Sequence, residues 1–341
     1  MHLMKNAEAD KLKELLNAPK KIAIIPHKNP DGDAMGSTLG LRRFLIKKGH
    51  DATVVSPNDY PEFLKWLPDE GTVIKHDLQP EIAAKTIENA DLIFTLDFNH
   101  FSRCGDLQPL LEKSSAPFIM IDHHQQPNDY AMVTYSDVSI CATSQMVYHA
   151  LEALGGLDMI DKDIATCLYT GIMTDTGSFK FSSTTATTHR VIAHLIEHGA
   201  NNTQIHEDIY DTSSHNRLKL LGVALNNLVY LNEYNTAYIT LAQEELDANG
   251  FEKGDTEGFV NYGLSLKGAR MAIIFIENKQ EGIVKISLRS KGDFSVNELS
   301  RKHFHGGGHT NAAGGKSDRS LKDTVAYFIS ILPQYKKALN A

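Results

Sequence analysis

Cysteine is scarce, with three in 341 residues. Cys104, Cys141 and Cys167 lie far apart and form no C-x-x-C pair, which excludes a disulfide framework and a cysteine zinc site and leaves burial as small hydrophobes. Long apolar runs are missing too. No stretch nears the ~18 consecutive apolar residues of a membrane span, and Met1 to Lys21 carries charges throughout with no apolar signal core, so a soluble cytoplasmic protein without a membrane partner is expected. Excess basic charge is also absent: 34 Lys and Arg stand against 42 Asp and Glu, a net charge of -8. A protein that grips long nucleic acid needs a basic surface, so that partner is not expected. No internal repeat or low-complexity tract occurs.

What is present is enough chain for two domains. Charge is uneven along it: 18 basic against 28 acidic residues up to Tyr210, and 16 against 14 beyond. An acidic first part suits cation binding and a mildly basic second part suits an anion, although an acidic surface kept for solubility reads equally well on charge alone.

Lys21 to Pro26 (KIAIIP) reads as a strand, followed by a polar turn and a helical pattern over Ala34 to Lys48. Strands at Ala52 to Ser56, Asp91 to Asp97 and Phe118 to Asp122, with a helix over Pro80 to Ala90, repeat the unit. Apolar strands alternating with helices predict an α/β fold with a parallel sheet covered on both faces. Helices follow over Ser144 to Leu154, Asp161 to Met173, Thr185 to His198 and Ser214 to Leu231, the last read as a connector. Beyond it, strands at Thr236 to Leu241, Met271 to Glu277 and Ile283 to Arg289, interrupted by helical segments, and a helix from Leu321 predict a smaller mixed α/β domain. The expected organisation is a catalytic domain over 1–210, a helical connector over 211–231 and a substrate-binding domain over 232–341.

Acidic and histidine residues collect at strand ends. His27, Asp31 and Asp33 follow KIAIIP, Asp97 ends DLIFTLD, and Asp122, His123 and His124 end FIMID, while Asp175 lies at a helix end before a glycine turn. Taken singly, such an Asp is a helix cap or turn former, and a His pair is surface or satisfied core. Taken together, several carboxylates converging on the ligand-binding edge of an open parallel sheet need compensation, and cations supply it most simply. Four carboxylates and two histidines without thiolate would fill two divalent sites, manganese being expected and magnesium the alternative. Paired ions sharing a carboxylate are a common device for hydrolysing phosphate esters.

Downstream, Gly306, Gly307, Gly308 and His309 open a glycine-rich segment whose backbone N–H groups could approach an anion, with a merely tight loop as the other reading. Arg289 and Ser290 end a strand close by, and Arg289 suits a bidentate phosphate contact.

The ordered set His27-x-x-x-Asp31-x-Asp33, Asp97, Asp122-His123-His124 and Asp175 resembles the four motifs of the DHH phosphoesterase superfamily. The segment from Gly306 to Gly315 resembles the signature of the DHH-associated C-terminal domain. Together they span most of the chain and are similar to the stand-alone oligoribonuclease and PAP phosphatase branch. The resemblance implies that His27 and Asp31 hold one metal, that Asp33, His123 and Asp175 hold a second, and that Asp97 bridges both. It implies that Asp122 orients a histidine, that His124 acts on the substrate phosphate, and that the active site lies in the cleft between the two domains. Implied substrates are very short oligoribonucleotides and 3'-phosphoadenosine 5'-phosphate. A linear or cyclic dinucleotide phosphodiesterase, a RecJ-like single-strand exonuclease, a family II pyrophosphatase and a nucleotide-binding regulator without turnover are the rivals, and a homodimer is left open.

Overall fold

The computed structural model describes residues 4–341, and the chain divides after Thr212 into two compact units. The first unit has strands β1 (Lys21–Ile25), β2 (Asp51–Ser56), β3 (Ile74–Lys75), β4 (Leu92–Leu96), β5 (Phe118–Asp122) and β6 (Val133–Ser136). Its helices are α1 (Asn6–Leu15), α2 (Gly32–Lys47), α3 (Pro80–Glu88), α4 (Gln108–Lys113), α5 (Thr143–Ala153), α6 (Lys162–Asp175), α7 (Ala186–Glu197) and α8 (Asn202–Tyr210). All six strands are parallel, in the order β3-β2-β1-β4-β5-β6.

β1 is apolar after Lys21 because both of its faces are covered. Ile22 and Ile24 join one hydrophobic cluster, and Ala23 and Ile25 join the other. β4 repeats the division, with Leu92, Phe94 and Leu96 on one side and Ile93 on the opposite one. The continuous apolar runs therefore mark a sheet buried on both faces, as the sequence predicts.

Strand order reverses between β1 and β4, and in such sheets the crevice outside the carboxyl ends at the reversal is where ligands bind. Register places the candidate site side chains there. Ile25 pairs with Thr95 and Leu96 with Ile121, so His27 and Asp97 leave the sheet at the same level, with Asp97 beside Asp122. Two helices cross close to this edge. A Cβ on Gly36 of α2 would stand 2.4 Å from the Cys167 carbonyl oxygen of α6. That approach brings Asp33, in the first turn of α2, and Asp175, the last residue of α6, to the histidine at the end of β5.

The second unit has strands β7 (Val229–Leu231), β8 (Thr236–Leu241), β9 (Met271–Asn278), β10 (Ile283–Ser290), β11 (Gly307–Gly308) and β12 (Ala312–Ser317). Helices α9 (His215–Asn226), α10 (Gln243–Ala248), α11 (Val260–Ser265), α12 (Val296–His303), α13 (Leu321–Ile331) and α14 (Lys336–Leu339) accompany them. The sheet order is β11-β12-β10-β9-β8-β7, antiparallel except for the parallel β8–β9 pair.

Two details differ from the sequence reading. The helix read through Leu231 stops at Asn226, and the chain re-forms as the edge strand β7. Leu220 and Ala224 of that helix pack with Ala237, Ile239 and Ile274, so the segment contributes to the core of the second unit. The glycine-rich segment is a hairpin rather than an open loop: Gly307 pairs with Gly314 and Gly308 with Ala313. The three cysteines are free and buried, as expected. Among the described residues, no helix is long and apolar enough to cross a membrane.

Candidate metal centre

Asp31 shows how one residue serves two readings at once. It is the N-cap of α2, its Oδ1 accepting the N–H groups of Asp33 and Ala34 at 3.1 Å each. Its other oxygen, Oδ2, stands 3.8 Å from His27 Nε2. The cap reading is right, and the carboxylate still has an oxygen to offer.

The histidines are aimed by their own backbone surroundings. His27 Nδ1 lies 2.9 Å from the Lys28 carbonyl, and His123 Nδ1 lies 3.1 Å from the Ile140 carbonyl. A carbonyl only accepts, so Nδ1 carries the proton in each ring and Nε2 turns toward the carboxylates. His27 Nε2 stands 3.4 Å from Asp97 Oδ2, and His123 Nε2 stands 3.4 Å from Asp97 Oδ1. The two oxygens of Asp97 thus face two different histidines. His123 Nε2 also lies 3.4 Å from Asp175 Oδ2 and 3.9 Å from Asp33 Oδ2. Asp97 is 2% exposed and has φ +64°. That left-handed conformation, uncommon outside glycine, turns its side chain from the end of β4 into the centre.

His124 is held differently. Asp122 accepts its ring Nδ1–H at 2.7 Å through Oδ1 and its backbone N–H at 3.0 Å through Oδ2. Asp122 therefore orients His124 and not His123.

The charge balance of this cluster suits a cation. Burial alone would lower His27, but hydrogen bonds and charge from Asp31 and Asp97 outweigh it and push the ring up to about 10. His123 is raised well above its ordinary value against the same burial cost, by Asp97, Asp175 and Asp33. Burial together with the charges of Asp97 and Asp175 raises Asp33 well above the usual carboxylate range. Asp175 is pushed up to about 6, by burial first and then by Asp31 and Asp97. Asp97 is held well below its usual value, because hydrogen bonds from His123 and His27 overcome its burial, and Asp31 is lowered against its own burial by its hydrogen bond to His27. Protons here stand in for positive charge that the carboxylates require, and a cation would displace them.

The donor chemistry fits a divalent ion. His27, Asp31 and Asp97 each offer one donor atom within 4.8 Å of the others, as do Asp33, His123 and Asp175, and also Asp97, Asp122 and His124. Every donor is a carboxylate oxygen or an imidazole nitrogen, the set that suits manganese or magnesium.

Sequence reasoning missed the start of α5. The N–H groups of Thr143 and Ser144 donate to Asp33 Oδ2 at 2.6 Å and Oδ1 at 2.8 Å, and Thr143 Oγ1 donates to Asp97 Oδ1 at 3.0 Å. A helix N-terminus thus anchors one carboxylate and a hydroxyl fixes another. The Thr-Ser pair opening a helical run is legible as a helix start, but its partners, 110 residues away in the chain for Asp33, are not. Asn99 is a second omission, donating to the carbonyls of His124 and Gln125 at 3.1 Å each and so bracing the histidine turn.

In the second unit, β10 lies against β12 with Arg289 opposite Ala312, which sets Arg289 beside the glycine hairpin. Arg289 is half-buried, and its Nη1 donates to the Leu288 carbonyl at 3.0 Å. Ser290 is buried and committed: its hydroxyl donates to the Phe294 carbonyl at 2.6 Å and accepts from Asn311 Nδ2 at 2.9 Å. Gly306 and Gly308 are demanded by packing. A Cβ on Gly306 would stand 1.8 Å from the Gly314 carbonyl oxygen, and Gly308 has φ +144° with the Ala312 carbonyl oxygen 2.5 Å from where its Cβ would be. Gly307 has the most room of the three, its nearest neighbours being 3.7 Å away. His309 closes the hairpin turn through its N–H to the Ala312 carbonyl at 2.7 Å.

The model of the DHH family, N-terminal domain, matches residues 21–172, and that of the DHHA1 domain matches 234–335. The bifunctional oligoribonuclease and PAP phosphatase NrnA of Thermus thermophilus is 33% identical, over 86% of this chain and 83% of its own length. The protein of the same name from Bacillus subtilis is 29% identical, over 87% of this chain and 91% of its own. A crystal structure of an exopolyphosphatase-related protein from Bacteroides fragilis is 37% identical, covers the whole of both chains and has a TM-score of 0.96.

Proposed function

The chain belongs to the DHH family, and on that premise we propose that it is a divalent-cation-dependent phosphoesterase. It releases nucleoside monophosphates from very short RNAs and removes the 3'-phosphate of 3'-phosphoadenosine 5'-phosphate. One observation carries this reading: the two oxygens of Asp97 face His27 and His123 separately, each within a donor set of its own. His27, Asp31 and Asp97 would hold one cation, and Asp33, His123 and Asp175 a second, with Asp97 shared and manganese expected. Such a pair, when bound, supplies a Lewis acid for the phosphoryl oxygens and activates water as the nucleophile.

The chain's own groups position the rest. Asp122 fixes the His124 ring through Nδ1–H, and in the imidazolium form of that ring the Nε2–H donates to a phosphate oxygen or passes its proton to the leaving oxygen. His123→Ala should lower the content of bound manganese, whereas His124→Ala should keep it and lose the chemical step, seen as lower kcat. Metal analysis of the two purified variants separates them, and equal metal loss in both would mean that the roles are misassigned.

In the second unit Arg289, with Gly307 and His309 of the adjoining hairpin, would hold a substrate phosphate, while Ser290, Gly306 and Gly308 keep that hairpin in shape. Arg289→Ala should raise KM on short RNA by roughly ten- to a hundredfold, the worth of a charge-assisted contact. A small chromogenic phosphodiester should be affected little. An equal loss on both substrates with a lower melting temperature would make Arg289 a support of the fold.

The reading as a whole is tested by manganese-dependent turnover of RNAs from two to twenty nucleotides, the adenosine bisphosphate and a cyclic dinucleotide. Turnover confined to the shortest RNAs and the bisphosphate is expected. Hydrolysis of the cyclic dinucleotide alone, or rates that grow with length, would overturn it.

A further inference from the structure

Two cations at the rim of the metal centre have no task in that reading. Lys28 follows His27 directly, and Arg103 lies in the 3-10 helix Phe101–Leu107 after β4, six residues beyond Asp97. Both side chains are exposed, and neither is paired with a carboxylate among the described residues. A surface lysine usually sweeps a wide volume from a free stem. This one does not.

Its backbone is pinned on both sides. The Lys28 N–H donates to the Arg103 carbonyl at 2.7 Å, and the Lys28 carbonyl accepts from His27 Nδ1 at 2.9 Å. The following residue is braced as well: Asn29, at φ +55°, donates its N–H to Asn58 Oδ1 at 2.8 Å and accepts from Asn58 Nδ2 at 3.2 Å. The Lys28 stem then lies across Gly105, where a Cβ would stand 2.6 Å from Lys28 Cδ and where φ is +56°. Lys28 and Arg103 are therefore two cations launched from backbones hydrogen-bonded to each other, one of them with its stem seated on a glycine.

The carboxylates nearby leave them unpaired for a reason. Asp31 gives Oδ1 to helix N–H groups and turns Oδ2 toward His27, Asp33 is engaged by helix N–H groups, and Asp97 by histidines and Thr143. An anion that pairs with Lys28 and Arg103 would therefore come from outside the described residues. It is distinct from the phosphate at the metal centre, because a phosphate on the cations is already compensated, whereas a second phosphate would meet the rim of an acidic site within a Debye length. Pre-organised cations lower the cost of binding it.

We propose that Lys28 and Arg103 bind a second phosphate of the substrate, one nucleoside away from the ester that is cleaved. The inference rests on the phosphoesterase reading for the first phosphate, and it names the substrate class as nucleotides carrying a further phosphate.

The test compares adenosine 3',5'-bisphosphate with adenosine 3'-monophosphate, which has the same ester and no second phosphate. The double variant Lys28→Met, Arg103→Gln keeps the stem over Gly105, and the two single variants serve if it fails to fold. In the unmodified protein kcat/KM should favour the bisphosphate by roughly tenfold or more. The variant should lose that preference while hydrolysing the monophosphate at the same rate. Calorimetric titration of both ligands with calcium in place of manganese reads the same preference as affinity without turnover. An unmodified protein that cleaves neither ligand would refute the 3'-phosphatase part of the reading, and a calorimetric preference lost in the variant would still uphold the second-phosphate site. An unchanged preference in the variant, or an equal fall on both ligands, would overturn the site. Tripolyphosphate distinguishes a nucleotide from an inorganic chain: competition stronger than that of the bisphosphate, abolished in the variant, would overturn the nucleotide assignment.

Discussion

Asp97→Asn should reduce manganese-dependent hydrolysis by roughly a thousandfold and leave the protein folded. Asparagine has the shape of aspartate, tolerates the left-handed φ of +64° found here, and keeps an oxygen to accept from Thr143 Oγ1. What it lacks is the charge. Two unit charges 4 Å apart at an effective dielectric near 20 interact by about 4 kcal/mol, which corresponds to about a thousandfold in rate or affinity. Since His27 and His123 approach opposite oxygens of this one carboxylate, the loss falls on both donor sets at once. The measurement is turnover of a dinucleotide at saturating manganese, with cation content and a melting curve on the same preparation. A folded variant working near the unmodified rate would remove Asp97 from the centre of the chemistry.

Parts of this arrangement are legible in the sequence for physical reasons. A strand buried on both faces is written as an unbroken apolar run, so an acid or histidine at its end stands out, and His27, Asp97 and the Asp122–His124 turn are found that way. Asp175 is legible as a helix end before glycine. The hairpin β11–β12 is not, because glycine has little strand propensity and Gly307 and Gly314 are paired through backbone alone. Gly306 reads as part of an anion-approaching or tight loop, yet its lack of a side chain is fixed by the Gly314 carbonyl oxygen across the hairpin. Nor is the grip of α5 on Asp33 legible, since any helix start offers N–H groups and only the fold decides which carboxylate meets them. The helix read through Leu231 fails at its end for a similar reason: the pairing of β7 with β8 claims Val229 to Leu231, and a pairing across the sheet leaves no local mark.

Gly36→Ala should destabilise the first unit and lower activity, although alanine is the better helix former by about 1 kcal/mol. The added methyl would stand 2.4 Å from the Cys167 carbonyl oxygen and 2.9 Å from the Gly171 backbone nitrogen. Backbone cannot rotate aside, so α2 and α6 must separate. Overpacking of this kind costs about 1 to 3 kcal/mol, and at roughly 2 to 4 °C per kcal/mol for a unit of this size it outweighs the gain in helix propensity and lowers the melting temperature by several degrees. The same separation draws Asp33 on α2 away from Asp175 at the end of α6, so the affinity for manganese should fall with the stability. Gly40→Ala, one turn further along α2, is the control, because its methyl meets the Leu168 Cδ2 at 2.8 Å, and that side chain can change rotamer. Thermal melts and manganese titrations of the two variants test the argument. If Gly40→Ala lowers both as much as Gly36→Ala does, the contact between the helix backbones is not what holds the two carboxylates in place.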